Sequence, residues 1–155
     1  MDAAAVKARL DENLSGESRA GETQFFELVL PEQTNHYGTL YGANALHLMG
    51  KAAFVCASRH ARRTIVMAKS DAIDFRKPVK LGQLIDIRAH VVAEGRTSLT
   101  VCVNVIAEDL ASGTRYPAIN GNFVMVAVDS DGRPTPLAPA EIPQTDAPVK
   151  EEIHS

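Results

Sequence analysis

Residues 42–60 form one of the most apolar tracts of the chain, and this tract constrains the fold more than any other segment. Its sequence, GANALHLMGKAAFVCASRH, consists mainly of helix formers, and its apolar side chains leave little polar face. A helix that is apolar nearly all round has to be covered by protein on most of its sides. The sequence therefore predicts one long helix around which the rest of the domain is wrapped.

One short strand is predicted before this helix and four long strands after it. The strand candidates are TQFFELVL (23–30), TIVMAKSDAIDF (64–75), QLIDIRAHVVAE (83–94), SLTVCVNVIAED (98–109) and RYPAINGNFVMVAV (115–128). They are rich in β-branched residues, and the segments EGRTS and ASGT between the last three are typical of tight hairpin turns. The order β-α-β-β-β-β predicts an α+β fold in which an antiparallel sheet of about five strands wraps around one long central helix. One helix leaves part of such a sheet uncovered, so self-association is expected.

Length and composition limit the domain count and the class of partner. A chain of 155 residues is long enough for one domain with a sizeable core. Its net charge of -3 argues against nucleic acid as the main partner, and no apolar run is long enough to span a membrane. We expect flexible segments at 1–22 and at the proline-rich residues 132–155, flanking a compact domain at 23–131. No signal peptide is recognised at the N-terminus, so we expect a cytoplasmic protein in which the two cysteines, which lack metal-ligand spacing, stay reduced.

Four separated motifs follow one another along the predicted domain. They are TNHYGTLYGA (34–43), IDFRKPVKLG (73–82), EGRTSLTVCVNVIAED (94–109) and FVMVAVDSDGRPTPL (123–137). In this order they resemble the motifs of hotdog-fold acyl-CoA thioesterases, the acyl-CoA hydrolase branch, over about residues 25–136. The resemblance implies hydrolysis of an acyl-CoA to a free acid and CoA without a metal or bound cofactor. It also implies a homodimer whose two sheets join, with sites at the dimer interface, and further assembly to a tetramer or hexamer.

The first motif supplies candidates for polarising the thioester carbonyl, whose oxygen gains negative charge as water attacks. Gly42 and Ala43 open the predicted helix, where unpaired N–H groups and the helix dipole favour negative charge. Turn geometry alone is the competing interpretation of Gly42. Asn35 corresponds to the polar residue that the family places beside the thioester or the attacking water. The competing interpretation of Asn35 is a hydrogen bond within its own turn.

The second half of the expected site departs from the family pattern. Enzymes of this branch commonly carry a carboxylate eight residues past the glycine that corresponds to Gly42, and this chain has Gly50 there. The resemblance leaves open which residue replaces it. Asp71 or Asp74 on the next strand, or Glu32 in the loop, could supply a carboxylate. His47, one helical turn before Gly50, could act as a base instead, and we rank it level with Asp71.

Basic residues in three places are candidates for binding CoA. In the family the Gly-x-Thr-Ser turn and nearby basic residues contact the nucleotide and phosphates, and arginine suits phosphate through its forked donors. The competing interpretation of the arginines that follow the helix is that they complement its dipole. The candidates are Arg62, Arg63, Arg76, Lys77, Gly95, Arg96, Thr97 and Ser98.

Two other functions remain as alternatives to thioester hydrolysis. A hotdog dehydratase would need a His-Asp/Glu pair for proton abstraction, and no strand shows that signature. A non-catalytic module that binds or senses acyl-CoA would be consistent with glycine at position 50. A serine hydrolase, a nucleotidase and a zinc enzyme are disfavoured because the chain lacks the nucleophile elbow, the phosphate loop and zinc-ligand spacing.

Overall fold

The structure is a computed structural model that describes Ala4 and residues 22–138. Its elements are β1 (Glu22–Leu28), a 3-10 turn (Pro31–Gln33), α1 (Gly42–Ala61), β2 (Ile65–Phe75), β3 (Leu84–Glu94), β4 (Ser98–Glu108) and β5 (Arg115–Ala127). The helix and all five strands lie within two residues of their predicted bounds. The 3-10 turn was not predicted; it begins at Pro31, a residue that suits the first position of a helical turn.

The five strands form one antiparallel sheet in the order β1-β3-β4-β5-β2. The predicted architecture, a sheet of about five strands around one long helix, is therefore confirmed. β1 and β2 are the two edge strands, and each contributes a single buried residue. Among the described residues, no helix combines the length and apolar character needed to cross a membrane.

The core lies between α1 and the inner face of the sheet. Inner-face side chains of β4 are buried at every second position, as expected for a strand with one face on the core. Small side chains on the buried face of α1, such as Ala45, Ala52, Ala53 and Ala57, let the helix approach the sheet closely.

The described residues leave the opposite face of α1 uncovered, although the sequence predicted a helix wrapped on most sides. Leu46 is 39% exposed and Phe54 is 47% exposed. Among the described residues, the single sheet reaches only one side of the helix.

The packed chain continues beyond the predicted domain boundary at residue 131. The Thr135 N–H donates to Ala127 O at 2.9 Å, and Leu137 is partly buried against the core. Residues 132–137 of the predicted tail are thus bound to the domain. The predictions for 1–21 and 139–155 lie outside the described residues, apart from Ala4.

Candidate functional site

The loop before α1 is held in shape by the side chain of Asn35. Its Oδ1 accepts hydrogen bonds from the N–H groups of Tyr37 (3.0 Å) and Thr39 (3.2 Å), and its Nδ2 donates to Thr39 Oγ1 at 3.0 Å. The loop turns at Gly38, whose φ of +76° favours glycine. Asn35 therefore does stabilise its own turn. Its second Nδ2 hydrogen has no partner among the described residues and is available to a ligand.

The helix N-terminus has no side-chain cap. Tyr41 is the N-cap residue and makes no capping hydrogen bond, and the first turn holds no acidic residue. The N–H groups at Gly42 and Ala43 therefore remain available as donors, and the helix dipole adds partial positive charge there. The side chain of Asn44 joins the first turn of the helix to the preceding loop, because its Nδ2 donates to Gln33 O at 3.1 Å.

A cavity of about 310 Å³ opens beside this N-terminus. Its lining residues are Thr39, Leu40, Gly42, Phe75, Arg76, Lys77, Pro78, Val79 and Ile119. Since Thr39 is hydrogen-bonded to Asn35, the structure brings Asn35, Gly42, Arg76 and Lys77 together. An uncapped helix start next to two cations can hold an anion or a polarised carbonyl.

A second cavity, of about 360 Å³, lies on the uncovered face of α1. Its lining residues are Leu46, His47, Gly50, Lys51, Phe54, Met67 and Met125. Met67 packs over Gly50, since a Cβ atom built on Gly50 would lie 3.0 Å from Met67 Cε. Gly50 stands where the family carries its carboxylate. The flexible Met67 side chain borders the space beside it, and His47 lines the same cavity.

The carboxylate candidates lie elsewhere. Asp71 is opposite Asn122 on β5, and directly opposed residues share a face of the sheet. Asn122 lies between the buried residues Gly121 and Phe123, so Asp71 faces away from the helix. Asp74, opposite Asn120, faces the same outer side. Glu32 is exposed in the 3-10 turn.

The candidate CoA-binding residues fall into two groups at opposite ends of α1. Arg62 caps the helix C-terminus in a left-handed conformation (φ 51°), and Arg63 Nε donates to Leu137 O at 3.4 Å. The Leu137 N–H in turn donates to Arg96 O at 3.0 Å, which joins the turn Gly95–Ser98 to this end. Arg76 and Lys77 lie at the other end, beside Gly42. A helix of 20 residues spans about 30 Å, so one chain does not bring the two groups together.

The groups with shifted pKa values lie outside these cavities, and two of them, Asp86 and Cys56, are buried. Burial alone would raise the pKa of the Asp86 carboxyl, but hydrogen bonds from Arg88, Gln24 and Arg115 outweigh burial and hold its pKa below the ordinary value. Burial raises the pKa of the Cys56 thiol. Asp86 is fully buried and was not singled out from the sequence, because its position in β3 looks like an ordinary exposed strand position.

Sequence reasoning also missed residues on β5 that support the basic segment. Tyr116 and Asn120 contact the stretch from Arg76 to Pro78 through side-chain hydrogen bonds. Their strand was predicted, but only the pairing of β5 with β2 shows which polar side chains reach that stretch.

Comparison with known proteins identifies the family. The family described as Thioesterase superfamily matches residues 37–114. This chain belongs to that superfamily. The match begins in the loop around Asn35 and ends at the turn before β5, and so covers the helix and three of the five strands.

Related sequences agree with this assignment. An uncharacterised acyl-CoA thioester hydrolase of Bacillus subtilis, YkhA, is 35% identical over 121 residues, which cover 78% of this chain and 70% of the relative. The acyl-CoA thioester hydrolase YciA of Salmonella typhimurium is 32% identical over 120 residues, covering 76% of this chain and 90% of YciA. Relatives of this kind support acyl-CoA hydrolysis and favour it over dehydration or binding without turnover.

Solved structures confirm the hotdog fold. A hexameric acyl-CoA thioesterase without ligand superposes with a TM-score of 0.74 at 35% identity, covering 76% of this chain and 75% of the other. An acyl-CoA hydrolase from Staphylococcus aureus, in complex with butyryl-CoA, CoA and CoA disulfide, superposes with a TM-score of 0.72 at 28% identity, covering 76% and 71%.

Proposed function

We propose that this member of the thioesterase superfamily hydrolyses acyl-CoA thioesters to a carboxylic acid and CoA. The observation that carries the proposal is the uncapped start of α1, which opens into a cavity lined by Arg76 and Lys77. This arrangement provides donors for a carbonyl oxygen and cations for a phosphorylated substrate within one cavity.

In the proposed reaction, the thioester carbonyl oxygen accepts hydrogen bonds from the N–H groups at Gly42 and Ala43. Asn35 adds its second amide hydrogen to the carbonyl or to the attacking water. Water forms the new C–O bond and gives a proton to a base. The C–S bond then breaks, and the sulfur of CoA leaves with the proton that the base returns. Donors that are already oriented stabilise the negative charge of the intermediate without further reorganisation.

His47 is the proposed base, in the absence of a carboxylate at Gly50. Its side chain lines the same cavity as Gly50 and lies four residues after Ala43, on the same face of α1. Helical side chains tilt toward the helix N-terminus, so in this proposal His47 activates water from the cavity next to the one that holds the carbonyl. Asp71 is the weaker candidate because it faces the outer side of the sheet.

The assay is release of CoA from a panel of acyl-CoAs, followed with a thiol reagent. We expect turnover with at least one acyl chain length. The Cys102→Ser variant serves as the assay protein, because half-buried Cys102 can itself consume reagent. If the protein binds acyl-CoA saturably but releases CoA from no substrate, the result would instead support a non-catalytic module that binds acyl-CoA. Glycine at position 50 is consistent with that alternative.

We further propose a homodimer formed by antiparallel pairing of β2 with its copy. β2 is an edge strand whose apolar side chains are exposed: Val66 by 45%, Met67 by 46% and Phe75 by 54%. A two-fold axis at this edge would join the two sheets and cover the exposed face of α1. It would also place the start of one β2, next to Arg63, beside the end of the other, next to Arg76. The two groups of CoA-binding candidates would then form one site from two subunits.

We extend the proposal to the assembly of the dimers and to the cellular compartment of the protein. One superposed thioesterase is hexameric, which supports a hexamer built from such dimers over a tetramer. We propose a cytoplasmic location, as expected from the sequence, where Cys56 and Cys102 would stay reduced. Among the described residues no three potential ligands are grouped to hold a metal ion, and independence of cofactors stays a prediction.

A further inference from the structure

The segment from Arg76 to Pro78, between β2 and β3, carries two cations on irregular backbone. It is held against β5 by main-chain contacts: the N–H groups of Arg76 and Lys77 both donate to Ala118 O, at 2.8 and 3.2 Å. Two β5 side chains, two residues to either side of Ala118, add contacts to the same segment. The segment is therefore attached to β5 at three successive alternate positions.

Asn120 fixes the guanidinium of Arg76. Nε of Arg76 donates to Asn120 Oδ1 at 2.6 Å, and Asn120 is half-buried in the outer face of the sheet. A single bond to Nε leaves the two terminal nitrogens of the guanidinium for a second acceptor. Asp74 lies on the same face, but no ion pair joins it to Arg76 in the described structure. The charge of Arg76 is therefore not neutralised by this neighbouring carboxylate.

Tyr116 fixes the other half of the segment. Its hydroxyl lies 2.8 Å from Pro78 O and 2.8 Å from Gln83 Oε1, so its one hydrogen can be donated to either acceptor. Gln83 is buried and accepts from the Lys80 N–H at 2.8 Å, which fixes the orientation of its amide. Lys77 Nζ lies 5.6 Å from the centroid of the Tyr116 ring, within range of a cation–π interaction.

We propose that Tyr116 and Asn120 are positioning residues that pre-orient Lys77 and Arg76 for the phosphate groups of CoA. The inference rests on the proposed function, since it takes acyl-CoA as the ligand. Arginine and lysine side chains lose rotamer freedom when they bind, and holding them in place beforehand reduces that loss. Phosphate oxygens suit both cations, and a guanidinium held through Nε keeps a pair of terminal nitrogens for them.

The test compares Tyr116→Phe and Asn120→Ala with Asn122→Ala, which changes the same residue type on the same face of β5. For each variant, kcat and KM are measured with an acyl-CoA and with the same acyl group on N-acetylcysteamine, which lacks the nucleotide and phosphates. The dissociation constant of CoA is measured by calorimetry. We expect KM for acyl-CoA and the CoA dissociation constant to rise about 2- to 10-fold in the two test variants. KM for the truncated substrate should stay unchanged, and Asn122→Ala should behave as wild type.

Double variants separate positioning from general damage. Tyr116→Phe should have no further effect on CoA affinity once Lys77 is alanine, and Asn120→Ala none once Arg76 is alanine. Equal losses with both substrates, or unchanged CoA affinity in both single variants, would overturn the inference. If Asn120→Ala unfolds, the milder Asn120→Ser takes its place. If neither the wild type nor any variant turns over acyl-CoA, the hydrolase proposal fails. The calorimetric comparison of CoA affinities still decides whether Tyr116 and Asn120 position the cations.

Discussion

At the scale of single residues, His47 is the most informative position in the proposed mechanism. Replacing it with glutamine keeps a polar side chain but removes the base, and general-base catalysis typically contributes 10²–10⁴-fold. We expect kcat of His47→Gln to fall at least about 100-fold, with KM little changed. The measurement is steady-state kinetics with an acyl-CoA, and His36→Gln, in the exposed loop, is the matched control. An undiminished kcat in His47→Gln would exclude this residue as the base.

A gain-of-function variant at Gly50, where the family carries its carboxylate, complements this test. Gly50→Asp places an acid one turn after His47, and only the flexible end of Met67 has to move. We expect Gly50→Asp to restore part of the lost kcat when combined with His47→Gln. Gly50→Asn, which has the same shape without the charge, should restore none. Equal kcat values in the two combined variants would argue against a base at this position.

Asp86 is a single residue whose charge affects the stability of the fold rather than catalysis. Its carboxyl accepts from Gln24 Nε2 at 2.9 Å and from Arg88 at 3.0 Å, and it also pairs with Arg115. Because the folded pKa lies below the ordinary value of 3.8, the carboxylate stabilises the fold above about pH 4. This contribution disappears as the pH falls through the folded pKa.

We therefore expect Asp86→Asn to be less stable than wild type at neutral pH, with a difference that shrinks as the solution is acidified. Asp86→Ala should lose about 2 kcal/mol at pH 7, because it removes the shared acceptor of Gln24, Arg88 and Arg115, whose solvent-accessible side chains can turn to water instead. Urea unfolding between pH 3 and 7 measures both effects. Asp131→Asn, in the exposed turn after β5, serves as a control for the general effect of removing an acid. A difference between Asp86→Asn and wild type that does not depend on pH would contradict this account.

At the scale of elements, two glycines that look alike in the sequence have opposite roles. Gly50 lies inside α1, where alanine is favoured by about 1 kcal/mol and the nearest obstacle is a mobile methionine methyl group. Gly121 lies in β5, where a Cβ atom would be 2.1 Å from Ile73 Cδ1 and 3.3 Å from Ile73 Cα. The first position tolerates a side chain, and the second does not.

We expect Gly50→Ala to raise the free energy of unfolding by roughly 0.5–1 kcal/mol, through helix propensity. Gly121→Ala should lower it by about 1–3 kcal/mol, because the backbone of β2 has to shift. Chemical denaturation of the two variants side by side gives both values. Stabilisation by Gly121→Ala would show that the β2–β5 contact is looser than the structure indicates.

At the scale of the whole molecule, mixed subunits test whether one CoA site is built from two chains. Arg63→Ala and Arg76→Ala should each raise KM for acyl-CoA when present in every subunit. In a mixture reassembled at equal amounts, half of the dimers contain both variants, and each of these has one intact site of two. We expect about a quarter of the wild-type activity to return at a substrate concentration well below the variants' KM. Sites confined to single chains would show no recovery beyond the average of the two variants.

The sequence alone was sufficient for the element order, and it also marked the loop that lies beside the helix start. The apolar tract at 42–60 predicted α1, and the β-branched runs predicted all five strands, because both patterns are local and periodic. The polar loop around Asn35 and the glycine at position 42 mark the entry to the helix, and both lie at the cavity beside Lys77. These features depend on neighbouring residues in the chain, which a single sequence displays directly.

Other features were decided only by tertiary structure. Strand pairing put Asp71 on the outer face of the sheet, whereas the alternating pattern of β2 is interrupted by register shifts that the sequence does not show. Pairing also brought Tyr116 and Asn120 to the segment that carries Arg76 and Lys77, and buried Asp86 among Gln24 and two arginines. The physical reason is that a strand's faces and partners are set by contacts between residues distant in the chain. Helical periodicity, by contrast, is contained within the chain segment itself.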